Sequence, residues 1–262
     1  RGIGGKTALD YLIKVKELPF TEAVERIVGR AAERPSVFHA RAQPEKPKTL
    51  LLPPKSNSNT RVIAYLKSRG IDGGLMEQCI RSGQLDESLP YHNAVFVGMD
   101  RNGTPRYACL RGIGTDFKGE ATGSDKRFSF ALPATGESRM LCVFESAIDL
   151  LSYATLAKME GRDWHKLNLV SLSGVYSPNR ETKKSKVPVT LKNLLEKNKN
   201  INRIVLHFDN DIAGRKAANA LKIKLKDRYE VVDDPPKCGK DVNDFLCIKL
   251  GISKKNERSF ER

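Results

Sequence analysis

From Arg139 onward the apolar positions alternate between two periods. MLCVFE (140–145) is a continuous apolar run closed by an acid, the pattern of a strand buried on both faces. SAIDLLSYATLAKMEG (146–161) spaces its apolar residues three and four apart, as a helix does. The succession repeats: NLVSLSG (168–174) as strand, VTLKNLLEKN (189–198) as helix and INRIVLHFDND (201–211) as strand. IAGRKAANALKIKLK (212–226) then reads as helix and YEVVDD (229–234) as a short strand. Such alternation predicts an α/β fold, a mostly parallel sheet flanked by helices, with ligands at the carboxyl ends of its strands.

Before Arg139 the periods change. Residues 7–30 read as an amphipathic helix pair broken at Leu18-Pro19, with Thr7 and Thr21 as N-caps. Residues 34–58, rich in Pro, Lys and Ser, read as a linker. Helices are expected at 59–69 and 73–82, split at Gly70. The two strands of NAVFVGMD-RNG-TPRYACLRGI follow, with Asn102-Gly103 at the tip of a hairpin. The chain therefore divides into a helical segment (1–33), a linker (34–58), a smaller α+β module (59–130), the α/β domain (131–252) and a basic tail (253–262).

Charge narrows the possible partners. Forty-six Lys and Arg against 31 Asp and Glu leave +15 and a pI near 9.6. The excess is shared evenly between the two halves and is densest from Arg180 to Arg203. Such a field attracts polyanions, nucleic acid first; a solvated Lys-rich surface is the plainer alternative. No run approaches the roughly 18 apolar residues of a membrane helix, and RGIGGKTALD has no leader pattern and no initial Met. We read the chain as a fragment or processed form acting in the cytoplasm without a membrane. Five scattered cysteines lack C-x-x-C spacing, which predicts reduced thiols and no zinc within this chain.

Within this basic chain, carboxylates gather at the expected strand ends. Glu145 closes the first strand and Asp149 follows one helical turn later. Asp209 and Asp211 close the third, where Gly214 is expected to let the chain turn into its helix. Asp241 lies in GKDVNDFL beyond the last strand. Carboxylates two apart on an extended chain point the same way, and oxygen-only donors suit Mg²⁺ or Mn²⁺. Asp149 reads equally as an acid favoured by a helix N-terminus, and Asn243 and Asp244 as turn or capping residues.

VFESAIDLLS, LHFDNDIAGRKAANAL and GKDVNDFL, in that order and spacing, resemble the Toprim domain of topoisomerases and bacterial primases, and most of all the catalytic core of replicative DNA primase. The resemblance extends loosely upstream. AYLKSRGIDGGLMEQCIRSG resembles the helical opening of that core, and VFVGMDRNGTPRYACLRGI with FKGEATGSDKRFSF resembles its basic hairpin and loop. Residues 1–27 resemble the tail of the primase zinc domain. The arrangement is also similar to Toprim proteins of mobile elements with a preceding domain of unknown function. Ser146 stands where the family usually has Gly, and Asn243 where primases have a second Asp, which removes one possible ligand.

What the resemblance implies is a Rossmann-like Toprim fold with Glu145, Asp209 and Asp211 catalytic, and with Glu145, Asp149, Asp209, Asp211 and Asp241 holding Mg²⁺ or Mn²⁺. The expected reaction is phosphoryl transfer on nucleic acid. Its primase version makes RNA primers on single-stranded DNA from nucleoside triphosphates, with a replicative or element-encoded helicase as partner. A Toprim nuclease and a non-catalytic DNA-binding module of plasmid replication or conjugation are the alternatives. Arg106, Arg111, Lys118, Lys126 and Arg127, interleaved with Tyr107, Phe117, Phe128 and Phe130, are the expected nucleic-acid contacts, together with Arg215 and Lys240. The aromatics read equally as core. His207 reads as a core histidine. Gly5-Lys6-Thr7 mimics the end of a phosphate-binding loop but lacks its first Gly and its strand.

Overall fold

A computed structural model describes residues 8–28, 49–172, 174, 176 and 186–252. Thr7, residues 29–48 and the basic tail fall outside the described residues. The chain separates into two compact units, residues 1–47 and 48–262. The first unit holds α1 (Ala8–Lys14) and α2 (Phe20–Val28). Thr21 is not the cap of α2: the helix begins one residue earlier, with the Pro19 carbonyl accepting from Ala23 N–H, so Thr21 lies inside its first turn.

The second unit begins with residues expected as linker, and here the sequence reading is corrected. Leu51 N–H donates to the Thr122 carbonyl, Ser56 N–H to the Glu87 carbonyl and Leu89 N–H to the Pro54 carbonyl. The stretch from residue 49 is thus bonded into the module. Two short helices follow, α3 (Thr60–Ser68) and α4 (Gly73–Arg81). They are separated at Gly70, whose φ of +79° suits glycine. An antiparallel sheet comes next, in order β1 (Leu85–Glu87), β2 (Ala94–Met99), β3 (Pro105–Arg111) and β4 (Lys118–Glu120). Asp100 Oδ1 accepts from Asn102 and Thr104 N–H and fixes the predicted hairpin tip.

The second sheet has the order β5 (Ala131–Leu132), β7 (Asn168–Ser171), β6 (Met140–Phe144), β8 (Arg203–His207), β9 (Glu230–Asp233). All its pairings are parallel except β5 with β7. The predicted mostly parallel sheet is therefore present. Its helices are α5 (Ala147–Met159), α6 (Val189–Lys197), α7 (Ile212–Leu225) and α8 (Val242–Lys249).

Strand β6 explains why its run is apolar throughout. Leu141 and Val143 enter the core on one face, with α6 and α7; Cys142 and Phe144 enter the core on the other. That second core also takes Leu66 and Met76 of the module and Leu246 of α8. Helix α5 is enclosed on most sides, with Leu150, Leu151 and Ala154 fully buried. Lys158 Nζ reaches Asp72 Oδ1 at 2.8 Å, and Thr155 Oγ1 accepts from Asp72 N–H at 3.1 Å. The module and the α/β layers share one core.

Candidate functional site

Chain order places the site. From β6 the chain adds β7 on one side, then returns to add β8 on the other. The carboxyl ends of β6 and β8 flank the point where strand order reverses, the crevice where open α/β sheets bind ligands. Glu145 follows β6, and Asp209 and Asp211 follow β8.

Each acid is held by local backbone chemistry. Glu145 is 6% exposed, and its Oε1 accepts from Asp209 N–H at 3.1 Å. Asp211 caps α7 by accepting from Gly214 N–H at 2.9 Å, and Asp241 caps α8 by accepting from Asp244 N–H at 2.7 Å. The capping role expected for Asn243 or Asp244 thus belongs to Asp241. Gly214 lies inside α7 rather than at a turn. A Cβ there would sit 2.1 Å from the Asp209 carbonyl oxygen, so glycine allows the helix to close on the Asp209 loop.

Ser146 caps α5: its Oγ accepts from Asp149 N–H at 3.2 Å and donates to Asp149 Oδ2 at 2.6 Å. Asp149 Oδ1 accepts from Asn243 N–H at 3.3 Å. Both oxygens of this buried acid therefore have donors from the protein. Asn243 is a crosslink: its Nδ2 donates to the Arg69 carbonyl and to Ser152 Oγ, each at 2.9 Å, and its Oδ1 accepts from Arg69 Nη1 at 3.0 Å.

Burial, and then the nearby charges of Asp209 and Asp211, push the Glu145 carboxyl up to about 7. Burial followed by the charge of Asp241 raises Asp149 as well. Burial raises Asp209, whereas the hydrogen bond from Gly214 lowers Asp211. The charge that answers this crowding is Lys240, whose Nζ lies 3.3 Å from Asp209 Oδ2 and 3.5 Å from Asp211 Oδ2.

Glu145, Asp149, Asp209 and Asp241, but not Asp211, line a cleft of about 430 Å³ that is also lined by Phe96, Tyr107, Cys109, Arg111 and Lys118 of the module's sheet and by Arg69 at the end of α3. Arg111 Nε is buried there with no hydrogen-bond partner among the described residues. Arg106 does not line the cleft; it stands at a β-bulge, where the register passes from Gly98 opposite Tyr107 to Met99 opposite Pro105. It lies 5.4 Å from the Phe128 ring, which Arg127 and Lys197 also approach, at 5.7 and 4.6 Å. Lys126 pairs with Glu120 and Arg127 with Asp125. Arg215 is not free for phosphate, because it bonds Asp233 Oδ1 at 2.6 Å and the Phe208 carbonyl at 2.8 Å. Of the seven expected nucleic-acid contacts, Arg111, Lys118 and Lys240 line the cleft. Tyr107 and Phe130 are core, Phe128 is half-buried and Phe117 is exposed.

His207 is a core residue: its Nδ1 lies 2.9 Å from the Asp234 carbonyl oxygen, its ring stacks on Phe144, and burial lowers its pKa. Arg69 and Lys197 were not singled out by the sequence; SRG in 68–70 is the only local signal for the first, and nothing signals the second.

Among the described residues no group of three or more His, Cys, Asp or Glu stands closed around a metal position. Asp209 and Asp211 nevertheless fit a hard cation, because a cationic ammonium already lies between one oxygen of each. No helix among the described residues is long and apolar enough to cross a membrane.

A Toprim-like family matches residues 142–246, and a protein family of unknown function (DUF3991) matches residues 64–136. A 65 kDa protein of Zymomonas mobilis subsp. mobilis is 28% identical over 212 residues, covering 77% of this chain; the chain spans about a third of that relative's length, 33%. Among solved structures, the primase fragment of the bacteriophage T7 primase-helicase protein is 22% identical, with a TM-score of 0.48, over 74% of this chain and 72% of that one. The Escherichia coli primase catalytic core is 17% identical, with a TM-score of 0.49, over 74% and 70%. The chain thus carries a Toprim-like domain over residues 142–246, preceded over residues 64–136 by a match to a family of unknown function.

Proposed function

We propose that this chain performs divalent-metal-dependent phosphoryl transfer on nucleic acid, specifically primase-like synthesis of RNA primers on single-stranded DNA during replication or transfer of a mobile element. One observation carries the reading. Glu145, Asp149, Asp209 and Asp241 line a single cleft together with the cations Arg111, Lys118 and Lys240. Phosphoryl transfer needs both in one place, carboxylates to hold metal and cations to hold phosphate.

In this reading Asp209 and Asp211 hold the ion with Glu145 beside them, and Asp241 lines the same cleft as Asp209 and Glu145. When bound, Mg²⁺ or Mn²⁺ lowers the pKa of the primer 3′-hydroxyl and offsets charge on the departing pyrophosphate. Arg111 and Lys118 orient the triphosphate, while the module's outer cations track the template. Glu145, poised near neutrality, takes the hydroxyl proton. A helicase partner and a cytoplasmic setting belong to the same proposal.

That poise of Glu145 also supports a second reading, a nuclease in which it serves as general acid. The test is incubation of single-stranded DNA with labelled ribonucleoside triphosphates and Mg²⁺ or Mn²⁺. Oligoribonucleotide that disappears in Asp209→Asn and Glu145→Gln is the expected product. Shortened or nicked DNA selects the nuclease, and DNA binding indifferent to divalent ions with neither product selects a non-catalytic module.

A further inference from the structure

We propose that Lys240 is a tethered counter-ion of the acidic site, its ammonium holding the place between Asp209 and Asp211 from which an entering divalent ion displaces it. The inference rests on the metal-dependent reading above and assigns a positioning residue to it.

Three observations carry it. The Lys240 Nζ lies 3.3 and 3.5 Å from one oxygen of each aspartate, and among the described residues it alone forms an ion pair with either. The other nearby cation, Arg215, is occupied by Asp233 and by backbone carbonyls. Second, the Lys240 backbone is pinned. Its carbonyl accepts from Asn210 N–H at 2.6 Å and its N–H donates to Asp244 Oδ2 at 3.0 Å. Gly239 before it has a φ of +79°, and a Cβ there would fall 2.6 Å from Asp244 Cβ. The loop is therefore stitched to the Asp209–Asp211 segment and only the side chain is able to swing. Third, that side chain is 58% exposed, so leaving the aspartates for water costs little.

An ammonium and a divalent ion repel each other, so the two compete for the space between the aspartates. A lysine ammonium is charged at neutral pH, so the contest is one of cation against cation. The arrangement keeps the acids neutralised and in place while no metal is bound.

The experiment is a calorimetric Mn²⁺ titration of the parent and of Lys240→Met, with and without nucleoside triphosphate and single-stranded DNA. The methionine keeps the apolar stem without the charge. Lys240→Met is expected to bind Mn²⁺ about three- to tenfold more tightly, the scale of exposed ion pairs. In the parent, acylation of Lys240 by an amine reagent, read by peptide mass, is expected to rise on addition of Mn²⁺. Parent-like or weaker Mn²⁺ binding by Lys240→Met, with the parent binding normally, overturns the counter-ion role and leaves the metal-dependent reading standing. No Mn²⁺ binding by either folded protein under any of these conditions overturns both.

Discussion

The amide of Asp209 donates to Glu145 Oε1 across 3.1 Å, tying the ends of β6 and β8 together through a side chain that is also the central acid of the site. The bond needs an acceptor but not a charge, so Glu145→Gln keeps the geometry while removing the carboxylate. An unfolded glutamate loses its proton near 4.5, whereas Glu145 in the fold holds it to about 7. Between those values the folded state binds the extra proton. The stability this contributes is fully present below 4.5 and is lost as pH rises through 7. Denaturant unfolding should show the parent losing on the order of 1–3 kcal/mol relative to Glu145→Gln between pH 5 and pH 8. Parallel stability curves for the two proteins would remove the perturbed carboxyl from the account.

Asn243→Asp introduces the acid that the primase pattern carries at this position. The structure predicts a loss of stability rather than a gained ligand. The Asn243 Nδ2 donates to the Arg69 carbonyl and to Ser152 Oγ, and an aspartate has no proton for either. It would also bury a charge beside Asp149, leaving the ion pair with Arg69 as its only compensation. A cost of about 2–4 kcal/mol is expected in urea unfolding, without tighter Mn²⁺ binding. Unchanged stability with stronger Mn²⁺ binding would restore Asn243 to the ligand set as a missing member.

These two residues show what was legible in the sequence. Glu145 and Asp209 were readable because β6 and β8 are apolar runs whose ends mark the carboxyl edge of a parallel sheet, and strand order does the rest. Asn243 was visible only as a departure from a motif, since its partners Arg69 and Ser152 lie 174 and 91 residues away. The bonding of residues 49–58 was hidden for a related reason. Pro and Ser describe a chain without regular structure, and such a chain is still able to pair its amides with a neighbouring strand. Arg215 reads as a phosphate contact from its position after the acids. Only the fold reveals the carbonyls and the carboxylate that occupy it.

Gly214→Ala sets local propensity against packing. In a helix interior the change favours folding by about 1 kcal/mol. Here the added carbon would stand 2.1 Å from the Asp209 carbonyl oxygen and 2.9 Å from its carbon, both backbone atoms that cannot rotate away. Overpacking of this kind costs about 1–3 kcal/mol and shifts the Asp209 loop. Packing should therefore win: the variant unfolds at lower denaturant and binds Mn²⁺ more weakly than the parent. A variant more stable than the parent would mean that α7 yields without disturbing the acids.

Arg111 and Arg215 look alike in the sequence, each a basic residue near a motif, and the structure assigns them opposite consequences. Arg111 lines the cleft with its Nε unpartnered among the described residues, so truncation to Gln gives up no hydrogen bond seen there from that atom. Its loss should leave stability within about 0.5 kcal/mol of the parent. If it contacts phosphate, the slope of log affinity for single-stranded DNA against log salt should flatten by about 0.7, one released counterion. Arg215→Gln breaks the bonds to Asp233 Oδ1 and to the Phe208 carbonyl and should lower stability by about 1–3 kcal/mol while leaving the salt slope near that of the parent. Anisotropy of a labelled oligodeoxynucleotide across a salt series, with denaturant curves on the same three proteins, separates the two roles. A flattened slope in Arg215→Gln together with an unaltered one in Arg111→Gln would mean that nucleic acid runs along α7 rather than through the cleft.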